Sequence, residues 1–169
     1  MTELLKWDFT ERWQEKWADW MKPGGHGALA DVRNSNLAWT PLVKPLSECT
    51  VMLLTTCGVH LRAQKPFDVM KEDGDWSPRE IPSDTQPDQL MITHTHYNHL
   101  DADNDVNCVF PIERLPELRD EGLINSVAAT HIGMMGWVPN PTVTVRDTIP
   151  GIVAKAKTEG VDIALLTPG

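Results

Sequence analysis

The chain has 169 residues, 41% of them hydrophobic and 23% charged, and a formal net charge of −9. That length fits one domain able to bury its own core. The acidic balance argues against nucleic acid and anionic membrane as partners, since both recruit clustered Lys and Arg. No apolar run approaches the roughly 18 residues of a membrane span, and the start, Met1 to Trp7, lacks a signal-peptide pattern. Cys49, Cys57 and Cys108 contain no CxxC and form neither a disulfide framework nor a zinc knuckle. A cytoplasmic location is the simplest expectation.

Taken in chain order, Asp8 to Met21 places Trp13, Trp17 and Trp20 at helical spacing, and Pro23-Gly24-Gly25 ends the pattern. The tryptophan stripe reads as a packing face for the domain or for a partner subunit. Residues 23–48, with no clear period, read as an extended arm. The predicted organisation is therefore an N-terminal helix and arm over 1–48 and an α/β domain over 49–169. Thr50 to Thr56 is a continuous apolar run, suited to a buried strand of a parallel sheet, and it ends in Cys57-Gly58-Val59-His60. Residues 62–87 are punctuated by prolines and read as a long surface excursion with a short strand near Arg79–Ile81; excursions of this length are usually functional.

Gln89 to Thr93 is the next predicted strand, running into His94-Thr95-His96-Tyr97-Asn98-His99-Leu100-Asp101. Pro111 to Glu121 reads as a helix with Ile112, Leu115 and Leu118 on one face, Gly122 as its stop, and Pro116 as an interior conflict. Ser126 to Thr130 is a third strand, followed by His131. Asp147 is placed to cap a helix over Thr148–Glu159, and Asp162 to Thr167 is a last buried strand. The alternation of strands and helices predicts an α/β fold with a mostly parallel wound sheet and flanking helices.

In such sheets ligands bind beyond the carboxyl ends of the strands. Those ends are Cys57–His60, His94–Asp101, Thr130–His131 and Thr167–Gly169, and they hold five of the six histidines. The densest cluster is similar to the HxHxDH string of metallo-β-lactamase-like hydrolases, with Asn98 in place of the metal-binding aspartate. It leaves open a zinc-dependent hydrolase built on His94, His96 and His99, or a polar loop with no metal. Cys57 is a nucleophilic or redox-active thiol beside His60, or a small buried apolar residue. Gly58 points to close backbone approach or a positive φ. His131 leads into a glycine-spaced loop, Ile132 to Trp137, which either closes over a small ligand or packs as a loop. Neither a nucleotide-binding glycine pattern nor a GxSxG elbow is present.

Several strings taken together resemble one family. They are Trp39-Thr40-Pro41-Leu42 with Lys44-Pro45-Leu46-Ser47, Leu54-Thr55-Thr56-Cys57-Gly58-Val59-His60, Pro66-Phe67-Asp68, Gly74-Asp75-Trp76-Ser77 and Arg79-Glu80-Ile81-Pro82. Further along come Thr93-His94-Thr95-His96-Tyr97, Asp101-Ala102-Asp103, Asn107 to Leu115, and Glu159-Gly160-Val161-Asp162. From about Trp39 to the end, the chain resembles the selenoprotein B family of glycine, sarcosine and betaine reductases, which includes the selenoprotein subunit of D-proline reductase. The resemblance implies a subunit of a selenol- or thiol-dependent reductase that cleaves a C–N bond of a small amine or amino-acid-like substrate. Electrons would come from a dithiol donor or other reductase subunits.

The resemblance further implies a reactive selenocysteine or cysteine just after Gly169. The 169-residue chain by itself would then be inactive, and marginally stable or a homo-oligomer. No cofactor is expected in the chain itself. His60, His96 and Cys57 are the candidate catalytic residues, the two histidines as proton donors to the leaving amine. Gly58, Tyr97, Asp101 and His131 are the candidate substrate-binding residues. A non-catalytic subunit that binds a small molecule is the remaining alternative.

Overall fold

The computed structural model describes residues 40–168; the predicted tryptophan helix and most of the arm lie outside the described residues. The central element is β1 (Thr50–Thr55), and every one of its residues from Val51 onward is buried. Parallel partners lie along both its edges. On one edge are β5 (Ser126–Val127), in register with Thr50 and Val51, and β6 (Thr130–Gly133), in register with Leu54 and Thr55. On the other edge β7 (Ile163–Thr167) pairs with all of Val51 to Thr55. Strand β3 (Arg79–Pro82) adds to β6 in the antiparallel sense.

The sheet is therefore mixed, with a parallel centre, and the prediction of a mostly parallel sheet holds for the strands around β1. Two expectations change. Gln89–Thr93 contributes β4 (Leu90–Ile92), which does not join the main sheet but pairs antiparallel with β2 (Val59–Leu61). The run after Asn125 is not one strand ending before His131, but β5 and β6 separated at Ala128-Ala129, which puts His131 inside β6.

The alternation of side chains along β1 divides the core. Val51 and Leu53 face a cluster with Val59, Phe110, Ile112 and Leu115, while Met52 and Leu54 face Ile132, Met134 and Ile152. The first face is covered by α2 (Arg114–Asp120), which follows the short α1 (Leu100–Asn104). The predicted helix begins only at Arg114, so Pro116 falls in its first turn, where a missing N–H costs little. The second face is covered by α3 (Ile149–Thr158), with Ile149 and Ala156 packed against that cluster. Asp147 does not cap α3; it ion-pairs with its neighbour Arg146 instead.

Strand β7 also departs from expectation. It was predicted to be buried, yet Leu165 is 41% and Leu166 65% exposed. Among the described residues its only strand partner is β1, so its outer edge carries no further strand.

Two glycines fix how the elements meet. Gly58 turns the chain out of β1 at φ 76°, a region L side chains avoid, and a β-carbon there would lie 2.4 Å from the Thr93 carbonyl oxygen. Gly133 lets β2 cross β6 at close range, since a β-carbon would come within 1.9 Å of the Val59 oxygen. The excursion after β2 is held down by Arg79, whose guanidinium donates to the carbonyls of Lys65 (2.9 Å) and Pro66 (3.3 Å), pairs with Asp75 and lies 4.3 Å from the Phe67 ring centre. No described helix is long and apolar enough to cross a membrane.

Candidate active site

The carboxyl ends of β1, β4, β6 and β7 bring a chain of contacting side chains together. Cys57, two residues beyond β1, is buried, with its thiol 3.9 Å from the Val109 carbonyl and 4.0 Å from the Thr167 carbonyl at the end of β7. The hydroxyls of Thr55 and Thr167 both donate to that Val109 carbonyl, at 3.1 and 2.6 Å, which ties β1 and β7 to the loop before α2. Burial pushes the Cys57 thiol above its usual pKa and keeps it protonated. The Tyr97 hydroxyl donates to the Cys57 carbonyl at 2.9 Å, and burial raises its pKa far enough to keep the phenol a donor throughout the physiological range.

From Tyr97 the cluster continues outward. The Tyr97 ring meets His94 edge-on at 4.8 Å between ring centres, and His94 meets His96 at 5.8 Å. His96 is exposed and stacks on Trp137 at 4.3 Å with 10° between the planes. Burial lowers the His96 pKa, so its imidazole is mostly neutral near pH 7 and exchanges protons with solvent.

His94 lies beneath this pair, 6% exposed. Its Nδ1 accepts the backbone N–H of His96 at 3.0 Å, which puts the proton of the neutral ring on Nε2. That Nε2–H is buried and has no partner among the described residues. Leaving such a donor unmatched costs about 1–3 kcal/mol. Desolvation, with the neighbouring His96 and His99 adding to it, lowers the pKa of His94 to about 4.

The chain is 40% identical over 131 residues to D-proline reductase subunit gamma of Acetoanaerobium sticklandii, a match that covers 78% of this chain and 53% of that protein. This likeness is consistent with the family of glycine, betaine and D-proline reductases. It spans about half the length of the curated relative it matches. No family model and no solved structure matches it.

The candidate residues separate into groups. Cys57, Gly58, Tyr97 and His96 meet at the rim. His60 sits on β2 behind it, fully buried, with Nδ1 2.8 Å from its neighbour's carbonyl at Leu61 and Nε2 2.8 Å from the Thr93 hydroxyl. His131 is sealed inside the main sheet, where its Nδ1 accepts the Leu53 N–H at 3.1 Å and fills the gap between β5 and β6 in the ladder of β1. Asp101 is exposed in the first turn of α1.

Among the described residues the three histidines of the zinc alternative do not converge on one point. His99 turns away to pair with Asp103 at 2.8 Å, and the His94 Nδ1 is occupied by the His96 backbone. Among the described residues no three His, Cys, Asp or Glu side chains converge as a metal-holding group.

The sequence reads His94 as a metal ligand or part of a polar loop, places Trp137 only within the loop after His131, and gives Thr55 and Thr93 no role. Trp137 carried a signal, as an aromatic after a glycine at a strand end. The two threonines carried none, since only the folded register sets them against Cys57 and His60. Removing the Tyr97 hydroxyl with Tyr97→Phe is expected to lower stability by about 1 kcal/mol, the worth of one partly buried hydrogen bond. Urea midpoints check this, and an unchanged midpoint would show that the bond to Cys57 contributes nothing.

Proposed function

We propose that this chain is the part of a reductase subunit that presents a substrate amine to a selenol or thiol carried just beyond β7. The substrate class is a small amino acid or amine, D-proline in the first instance, as in the name of the relative. The reacting complex would include other reductase subunits or a dithiol donor, with this chain as one component of an oligomer. The observation that carries the reading is the Cys57 thiol 4.0 Å from the Thr167 carbonyl, where β7 ends, linked through Tyr97 and then His94 to the exposed His96.

The electron count closes without a further oxidant. Cleaving the substrate C–N bond consumes two electrons and two protons and leaves one C–H and one N–H. The selenol or thiol and the Cys57 thiol supply both, and join as a Se–S or S–S bond. The dithiol donor then reduces that bond and becomes a disulfide. His96, exposed and titrating below its usual range, carries a proton to the leaving nitrogen. His60 is the weaker candidate for that role, because both of its ring nitrogens are bonded inside the fold. Gly58 and Tyr97 shape the wall beside Cys57.

The test is dithiol oxidation dependent on D-proline, by the full-length subunit assembled with its partners. Turnover is expected, and His96→Ala should lower it by about a hundredfold. Absence of turnover in the wild-type assembly would overturn the reading.

A further inference from the structure

Two buried imidazole donors lack partners among the described residues, His131 Nε2 and His94 Nε2. They differ in what stands over them. His131 is sealed in the sheet interior, with the Phe110 ring edge-on at 5.9 Å. His94 lies directly under the exposed Gly136 at the rim: a β-carbon on Gly136 would stand 3.4 Å from His94 Nε2 and 2.9 Å from the Thr56 carbonyl oxygen. The covering residue has no side chain, and a hydrogen-bond donor and an acceptor lie beneath its backbone; a ligand would reach them by displacing the Gly136–Trp137 segment.

We propose that His94 is a specificity-determining residue whose Nε2–H receives the carboxylate of an amino-acid ligand beneath Gly136, with the Thr56 carbonyl beside it for the ligand's ammonium group. The inference rests on the reductase reading and adds to it the side chain that selects amino acids over bare amines. The chemistry follows from the donor set. The backbone of His96 fixes the proton on Nε2, so the ring is a donor and not an acceptor. A carboxylate is the strongest partner for such a donor, and a bare amine offers only an ammonium, which cannot accept. The zwitterion of an amino acid presents both charges on adjacent carbons, matching an N–H and a C=O beneath Gly136. The His96 and Trp137 rings stack alongside, Trp137 directly following Gly136 in the chain.

The experiment uses the full-length subunit labelled with nitrogen-15 in its histidine rings. D-proline and pyrrolidine, the same ring without the carboxylate, are the two probes. Saturating D-proline is expected to shift the His94 Nε2–H resonance, and pyrrolidine to leave it in place. His94→Phe should reduce the preference for D-proline over pyrrolidine by about tenfold or more, and His94→Gln, which retains an N–H, should restore part of it. A His94 signal unmoved by D-proline in a protein that still turns D-proline over would overturn this inference and leave the reductase reading standing. Loss of both binding and turnover in the wild type would overturn both.

Discussion

Gly133→Ala is expected to unfold the domain or to lower its stability by about 4 kcal/mol, a large share of the roughly 5–15 kcal/mol of a typical domain. The new methyl would have to share space with the Val59 backbone oxygen, which lies 1.9 Å from the β-carbon position. The Ile81 side chain stands behind at 3.4 Å, so neither strand can retreat without opening the core shared by β2 and β3. A flexible side chain could swing aside; a backbone carbonyl held in a strand cannot. Gly151→Ala supplies the internal control. Nothing lies within 4 Å of its β-carbon position, and in α3 the exchange should stabilise by about 0.5–1 kcal/mol. Denaturant midpoints for the two variants should move in opposite directions, and two midpoints lowered alike would show that the strand crossing is not the tight point.

Stability is also expected to fall steeply between pH 6.5 and pH 4. His94 and His131 each have a pKa lowered by burial from 6.5 to about 4. In the unfolded chain both return to the ordinary value near 6.5. Between those pH values the unfolded state binds more protons than the folded one, so stability rises with pH across the window. The full stability is present above about pH 6.5 and is lost as the pH falls toward 4, by about 3 kcal/mol for each histidine. Protonating His131 also removes the acceptor for the Leu53 N–H. His131→Asn retains an oxygen near the position of Nδ1 and does not titrate, so it should remove about half of the loss. Unfolding free energies at pH 7 and pH 4.5 measure this, and a flat profile over that range would contradict the burial of two neutral imidazoles.

Much of the fold was legible because apolar runs report burial directly. Thr50 to Thr56 read as a strand buried on both faces, and it is the centre of the sheet. The helix ending before Gly122 was likewise marked by its periodicity and stop signal. Pairing was not legible. Leu90–Ile92 looks locally like any short strand, and only its contact with Val59–Leu61 makes it half of a separate antiparallel pair. The break at Ala128-Ala129 was hidden for the same reason, because the gap in the ladder is filled by a side chain, His131, from a residue that sequence placed outside the strand.

At the site, composition identified histidines and a cysteine at strand ends but could not separate their roles. His60, His94, His96 and His131 have similar local surroundings in sequence, yet one bridges Leu61 and Thr93, one accepts the His96 N–H beneath Gly136, one stacks on Trp137 and one completes a sheet. Burial and partners decide those roles, and both are properties of the tertiary fold.

The proposed function requires Cys57 to stand next to a reacting group just beyond β7. Differential alkylation with mass spectrometry tests it directly, on the full-length subunit in its assembly, given D-proline without a dithiol donor. Cys57 should be open to alkylation after denaturation before substrate is added, and blocked after one turnover, in a form that added dithiol reverses. D-proline consumed in that single turnover while Cys57 stays fully alkylatable would contradict the account.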